Sequence, residues 1–362
     1  MMYYAAFVPG LQRVVADIVR TRLSDVRIDK LLEGAIVFET QCTYDRLNFF
    51  CFNNIFAVIS IVKNAVRERA PEAHVRAACR QGRNPVIAEN NKKIRSFRVV
   101  CSEENRPAPM EESTRVELER FIARQSRLAV DRSSPDTEFW LLYRREGFSV
   151  FMKRLTKHPS FEKMLRPGEL PPPLAYMLCW LSGPKPAEVV VDPFCGCGSI
   201  LEERQKHFPP PALFCASDID EKALAAARRR ITGSLSSRCR IRRVDIRDIF
   251  SVVPEGTADA VITDPPWGEY AELPVSAGRF YGDMARIFGR LLKPGGTAVV
   301  LTARIDELRT GVEEAGTLEP GEIFPILVSG RKAAVFRFVK PRDHGKTGIM
   351  KGGRSIAEQG LC

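Results

Sequence analysis

The sequence predicts an α/β protein in two parts. A doubly wound sheet with an antiparallel edge hairpin forms the C-terminal half, and an α+β region precedes it. Three observations point there. From residue 188 onward, apolar runs of strand length alternate with amphipathic runs of helix length, the rhythm of parallel strands joined by crossover helices. The last two apolar runs, near 322–328 and 332–339, have only a turn at Gly330 between them, so they pair as a hairpin at the sheet edge. A proline-rich stretch, LRPGELPPPLAY at 165–176, separates this alternation from what comes before. With 362 residues the chain is too long for one small core, so two or more domains are expected.

In chain order, Tyr3–Val8 reads as a strand. Pro9-Gly10 opens a helix running to Leu23, with Leu11, Val14, Val15, Ile18 and Val19 on one face. Ala35–Glu39 and Ile55–Val62 read as strands around a helix near 43–50. SFRVVCS at 96–102 is a strand and 110–126 a helix with acids in its first turn. Leu128–Asp131 is a short strand, and 135–144 with 148–154 a hairpin. In the C-terminal half, strands are expected at 188–192, 213–217, 240–244, 258–263 and 297–302. Helices are expected at 198–207, 220–232, 280–292 and 304–315. The polar, glycine-rich tail 341–362 is expected to be disordered.

Charge separates the two halves by task. The net charge is +11 and the pI about 9.3, which suits a polyanionic partner, nucleic acid before membrane. Residues 63–98 hold ten Lys or Arg against three Glu, so the excess is local. That favours an anion-binding face over general solubility. The chain has ten cysteines but no CxxC pair, and its four histidines (His74, His158, His207, His344) are dispersed, so no metal site is expected. Most of the cysteines read as buried thiols in a reducing compartment. The N-terminus lacks the pattern of a signal peptide and no run of 18 apolar residues exists, so a cytoplasmic location is expected.

Four strand ends carry acids. EVVVDPFCGCGSILEE at 188–203 runs from strand through Asp192 into a glycine loop and a helix, a nucleotide-type site. It is neither GxxxxGK[ST] nor GxGxxG, and an acid ahead of the loop suits a cationic ligand better than a phosphate. The next strand ends in Ser217-Asp218-Ile219-Asp220. Asp218 is placed to bind ribose hydroxyls, and Asp220 to cap the following helix. The third ends in Val244-Asp245-Ile246, where Asp245 reads either as an acceptor for an adenine amine or as a loop acid or cap. The fourth ends in TDPPWG at 263–268. A ligand with adenine, ribose, amine and sulfonium meets these demands without phosphate, and S-adenosylmethionine is such a ligand.

DPFCGCGS, ASDID, RVDIRD and TDPPWG, in this order and spacing, resemble the successive motifs of class I methyltransferases. The DPPW element is similar to the [D/N]PP[Y/F/W] motif of enzymes that methylate amino groups on planar systems. The N-terminal half resembles a THUMP module, an RNA-binding domain, through SFRVVCS, the helix at 110–126 and the segment SSPDTEFWLLYRREGFSVFMKRLTK. As a whole, roughly 1–340, the chain resembles the THUMP-domain RNA guanine-N2 methyltransferases. That resemblance implies a ferredoxin-like α+β segment at 1–62, a THUMP-like RNA-binding domain at 63–157, a linker at 158–180 and a Rossmann-like methyltransferase domain at 181–340. It departs from the family pattern at Cys197, where a small polar residue is usual, and at Trp267, where Tyr is commoner.

The activity implied is methyl transfer to the N2 amine of a guanosine in tRNA, with acceptor-stem guanosine 6 favoured. Position 10, ribosomal RNA and small nuclear RNA are alternatives, as is an RNA-binding protein with an inactive fold. The expected cofactor-binding set is Asp192, Phe194, Cys195, Gly196, Gly198, Asp218, Ile219, Asp245, Ile246 and Asp264. The expected catalytic set is Asp264, Pro265, Pro266 and Trp267. Asp264 and the Pro265 carbonyl would each accept one N–H of the guanine amine, the prolines would stiffen the loop, and Trp267 would stack on a base drawn from its helix. Neither metal nor covalent nucleophile is required. Lys63, Arg67, Arg76, Arg80, Arg83, Lys92, Lys93, Arg95, Lys153, Arg154 and Lys157 are expected to grip tRNA phosphates. A monomer is expected, with an accessory subunit not excluded by the sequence.

Overall fold

The computed structural model describes residues 1–47, 49–63, 69–79, 83–88, 93–104, 106–156, 168–231, 237–268, 273–328 and 330–342. The expected tail (341–362) falls largely outside these residues, as does 158–167 of the expected linker.

The N-terminal half is built on one sheet. Its strands are β1 (Met2–Ala6), β2 (Arg27–Leu32), β3 (Ala35–Glu39), β4 (Asn54–Lys63), β5 (Ser96–Glu103), β6 (Arg106–Pro107), β7 (Ala129–Val130), β8 (Thr137–Arg144) and β9 (Phe148–Arg154). They run in the order β2-β3-β1-β4-β9-β8-β5-β6, with β7 beside β5. The ten-residue β4 joins both segments of this half. It pairs antiparallel with β1 (Tyr4↔Phe56) on one side and with β9 (Val58↔Met152) on the other. The boundary expected at 62–63 therefore falls at the end of a shared strand. Helices α1 (Gln12–Arg22), α2 (Ala70–Cys79), α3 (Pro85–Ala88) and α4 (Glu112–Ser126) flank the sheet. His74 on α2 is fully buried between the Ser60 and Ser149 hydroxyls, at 2.7 and 2.8 Å, and ties that helix to β4 and β9. Burial pulls its imidazole down to about 4, so it is neutral at physiological pH.

The elements α2, α3 and β6 were not expected, and two further local readings differ. The helix near 43–50 is only a 3₁₀ turn at Tyr44–Arg46. The strand β2 was not expected, because RIDKLL is a half-exposed strand whose polar content hides its alternation.

The C-terminal half follows with α5 (Pro172–Leu181), β10 (Val189–Asp192), α6 (Ser199–His207), β11 (Leu213–Asp218), α7 (Glu221–Arg230), β12 (Cys239–Arg243), β13 (Ala258–Thr263), α8 (Ala277–Leu291), β14 (Leu292–Thr302), α9 (Ile305–Ala315), β15 (Glu319–Val328) and β16 (Arg331–Val339). The sheet order is β12-β11-β10-β13-β14-β16-β15. The first five strands are mutually parallel, and β16 is antiparallel to both neighbours, as the missing crossover helix requires.

The α5 helix occupies the last part of what the sequence marked as linker. Proline at its first turn starts it, and Leu174, Ala175, Tyr176, Met177, Leu178 and Cys179 are all buried. A helix apolar on every side shows no amphipathic period, which is why it was not legible. It sits in a core shared by both halves, containing Tyr3, Val15 and Phe49 as well as Val190, Phe214 and Val299. The Trp180 indole N–H donates to Asp17 on α1 at 2.9 Å, and the Phe50 ring stacks on His207 at 3.5 Å. Gly10, at φ +98°, lies so close to β15 that a Cβ there would come within 1.9 Å of the Pro325 carbonyl oxygen. The N-terminal half is thus docked against α5, the end of α6 and β15 of the C-terminal half.

Candidate active site

The strand order places the tips of β10, β11 and β13 side by side, and the expected acids gather there. Asp192 ends β10 and is buried. It accepts from the Thr263 hydroxyl at 2.7 Å and from the Phe194 N–H at 3.2 Å, which stitches β10 to β13. Burial raises its carboxyl to about 7, against those two hydrogen bonds, and the nearby Asp218 charge adds to the rise.

Asp218 ends β11. Its carboxylate accepts from the Gly196 N–H at 2.8 Å and from the Asp220 N–H at 2.9 Å, so it fixes the glycine loop to the second strand. Gly196 and Gly198 sit at φ +49° and +85°, backbone that other residues rarely adopt. A Cβ on Gly198 would also lie 3.0 Å from the Ala227 Cβ of α7. Asp220 caps α7 by accepting from the Lys222 N–H at 2.8 Å, as expected. Beside these groups Ile219 stands 63 % exposed, an apolar side chain open to solvent at the rim of a polar site.

Other members of the expected set are closed off. Cys195 is buried in the main core, Ile246 in the second one, and Phe194 packs half-buried against Phe280. Their side chains are wall rather than contact surface, so a ligand would meet backbone there. The cap reading of Asp245 is seen in its partners. It accepts from the Arg247 N–H at 2.9 Å and from the Arg247 guanidinium at 2.8 Å, capping the 3₁₀ turn Ile246–Ser251.

Asp264 follows β13 and is half-buried. Burial pushes its carboxyl up to about 8. The Trp267 indole N–H, donating at 3.0 Å, works against the rise and the Asp192 charge adds to it. The loop beyond is held by two residues that sequence reading missed. The Tyr281 hydroxyl, from α8, reaches the Pro266 carbonyl at 3.1 Å and the Thr302 hydroxyl at 2.7 Å. The Arg304 guanidinium donates to the Trp267 carbonyl at 2.7 Å. Both come from elements far along the chain, and neither belongs to a motif, so no local signal marks them. With these carbonyls engaged, the Pro265 carbonyl is left without a donor among the described residues. The loop therefore presents one carboxylate and one open carbonyl on a backbone tied down on either side.

These residues fit S-adenosylmethionine. The glycine loop allows close backbone approach, the exposed Ile219 suits a flat apolar ring, and no Lys or Arg lies in the loop to meet a phosphate. Two carboxyls whose ionisation is opposed by burial are suited to a cation. Among the described residues no group of three or more His, Cys, Asp or Glu is arranged to hold a metal ion. No helix there is long and apolar enough to cross a membrane.

The expected RNA-binding residues divide. Lys63, Arg76, Arg83, Lys93 and Arg95 are exposed. Arg67, Arg80, Lys92 and Lys157 lie outside the described residues. Lys153 and Arg154 are corrections to the expected set. Lys153 is buried, with its Nζ 3.4 Å from the Val86 carbonyl and 5.8 Å from the Phe139 ring centre. Arg154 is held by Glu138 at 3.0 Å and by Asn54 at 3.1 Å. Both brace the sheet, and alternation on β9 puts them on opposite faces, Lys153 toward α3 and Phe139 and Arg154 toward Glu138 of β8 and Asn54 of β4.

Comparison with known proteins agrees with this geometry. Residues 159–324 match the UPF0020 family, described as an RMKL-like methyltransferase domain. The chain is 32 % identical over 181 residues to a tRNA (guanine(6)-N2)-methyltransferase of Thermus thermophilus, a match covering 48 % of this chain and 53 % of that protein. It is 26 % identical over 175 residues to the U6 snRNA (guanine-N(2))-methyltransferase THUMPD2 of Bos taurus, covering 47 % of this chain and 33 % of that one. The matches thus span about half or less of these relatives. Among solved structures, TrmN from Thermus thermophilus superposes with a TM-score of 0.76 at 24 % identity, over 94 % of this chain and all of the other. Over 94 % of its length the chain shares the fold of that protein, and residues 159–324 are similar to a methyltransferase domain of the UPF0020, RMKL-like kind.

Proposed function

We propose that the chain is an S-adenosylmethionine-dependent RNA methyltransferase acting on the N2 amine of a guanosine in tRNA, with acceptor-stem guanosine 6 the favoured target. The name and full-length fold of the Thermus relatives support that choice, as does the exposed basic stretch of the N-terminal half. The observation that carries the chemistry is the pairing of Asp264 with the unengaged Pro265 carbonyl. The guanine amine is a weak nucleophile because its lone pair is delocalised into the ring. Two acceptors held at fixed spacing take one N–H each and turn that lone pair out of conjugation. Asp218, the glycine loop and Ile219 hold the cofactor, which when bound supplies an electrophilic methyl group. A cation beside Asp264 favours its carboxylate form, so the residue accepts a hydrogen bond before the reaction and can take a proton at its Oδ atoms after it. Trp267 is the stacking surface for the flipped base. Its indole N–H meanwhile holds Asp264 in place.

The test is incubation of the chain with methyl-labelled cofactor and total RNA, followed by nucleoside analysis and mapping. N2-methylguanosine in the tRNA fraction is expected. Label in small nuclear or ribosomal RNA would move the substrate, and label on adenine N6 would overturn the assignment of the base.

A further inference from the structure

A second concentration of positive charge lies in the C-terminal half, where no reading of motifs pointed. Residues 228–247 hold eight arginines and a single acid, Asp245. They run from the end of α7 through β12, whose sequence is CRIRR. Within this strip Arg228, Arg230 and Arg247 are paired with Glu221, with Glu202 and Glu169, and with Asp245. Arg229, Arg238, Arg240, Arg242 and Arg243 have no carboxylate partner among the described residues, and all are exposed.

The strand geometry orders them. β12 is the outermost strand of the sheet, paired only with β11. Ile241 faces the main core, so Arg240 and Arg242 share the opposite face, about 6–7 Å apart by the rise of a strand. Charged residues on a sheet edge often serve only to block stray strand pairing. That explanation does not cover this case. The other edge, β15, is guarded by Pro320 and Pro325 and carries Glu319 and Glu322, with no Lys or Arg at all. Edge protection is achieved there without positive charge, so the arginines of β12 answer another need.

Position supplies that need. β13, which delivers Asp264 and Trp267, is the central strand of seven, three strands from either edge or about 14 Å. The N-terminal half, with its own basic stretch, packs on α5, the end of α6 and β15. β12 is the edge strand farthest from β15. We propose that the β12 arginine strip is a second RNA-backbone docking surface, gripping phosphates of the substrate on the far side of the target nucleotide from the N-terminal half. An RNA held at both flanks presents its middle to the loop at 264–267. Arg243, whose Nε donates to the Ile219 carbonyl at 3.1 Å, links the strip to the cofactor side of the site.

This inference rests on the RNA reading of function, and the test separates the two. Arg240→Glu/Arg242→Glu is compared in the full chain with Arg286→Glu/Arg309→Glu, which makes the same charge change on the exposed faces of α8 and α9. Binding of bulk tRNA is followed across a salt series, and cofactor binding by calorimetry. The β12 variant should lose about 10- to 100-fold in tRNA affinity and flatten the salt slope by roughly one to two units, as expected for two lost phosphate contacts. Its cofactor affinity should be unchanged, and the control should lose less than about threefold. Arg240→Gln/Arg242→Gln serves if the Glu version misfolds, and should fall between. Equal affinity and slope for the two double variants would overturn the proposal, as would protection of β12 by an added protein strand rather than by RNA. Failure of the wild-type chain to methylate RNA would overturn the function and this inference together. Methylation with an unaltered tRNA KM in the β12 variant would overturn this inference alone.

Discussion

On the proposed function, Asp264 is the residue on which the chemistry turns. Replacement by Ala should lower kcat by about 10²- to 10⁴-fold, the usual range for a positioned acid or base, with cofactor affinity within a few-fold of wild type. Asn keeps the acceptor shape without the charge. Activity within about tenfold of wild type for Asp264→Asn would assign an orienting role, and a loss equal to that of Ala a proton-accepting one. Tyr281 acts through the backbone. Tyr281→Phe removes one hydrogen bond to the Pro266 carbonyl and should lower kcat by roughly tenfold, with KM for RNA and cofactor affinity unmoved. Titration gives a third prediction. Asp192 and Asp264, raised to about 7 and about 8, hold protons in the ligand-free protein at pH 6. A cation binding beside them favours ionisation, so binding releases protons and tightens as pH rises from 6 to 8. Calorimetry in buffers of different ionisation heat should show this release with S-adenosylmethionine and less of it with the uncharged thioether product. The sign for stability is opposite: the fold binds these protons more tightly than the unfolded chain does, so their contribution is lost as pH rises through about 7 and 8.

At the scale of elements, the motif-bearing strands and helices were legible almost to the residue. The expected strand 258–263 is β13 as found, and the helix expected at 304–315 is α9 less one residue. Short apolar runs bounded by acids and glycines mark strand ends clearly, because the turn chemistry is local. What was hidden had no local signal. The uniformly buried α5 lacked an amphipathic period, the polar edge strand β2 lacked an apolar one, and Tyr281 and Arg304 reach the loop only through tertiary packing. Lys153 and Arg154 show the reverse error, since a charged residue on a strand can point into the sheet and be paired there. The glycine loop yields a direct test of its geometry. Gly198→Ala meets both an unfavourable φ and the Ala227 side chain, so it should abolish measurable cofactor binding and lower the melting temperature.

For the whole molecule, the main lesson is that the two halves share one core. The proline-rich junction reads as a linker in sequence, yet its second part is packed between the halves. Both halves carry exposed basic residues, at Lys63, Arg76, Arg83, Lys93 and Arg95 and along β12. Gly10→Val should therefore destabilise the entire chain rather than the N-terminal half alone, because the close approach to Pro325 leaves no room for a side chain. A single unfolding transition at lowered temperature is the expected result, and two separated transitions would contradict the shared core. The proposed function also depends on the whole: it assigns the donor and amine site to the C-terminal half and the choice of RNA to the basic surfaces. The most direct test of that account is analysis of tRNA incubated with the wild-type chain and with Asp264→Ala. The account predicts N2-methylguanosine, mapped to the acceptor stem, in the first and almost none in the second. Equal methylation by both proteins, or a methyl group on any atom other than a guanine N2, would contradict it.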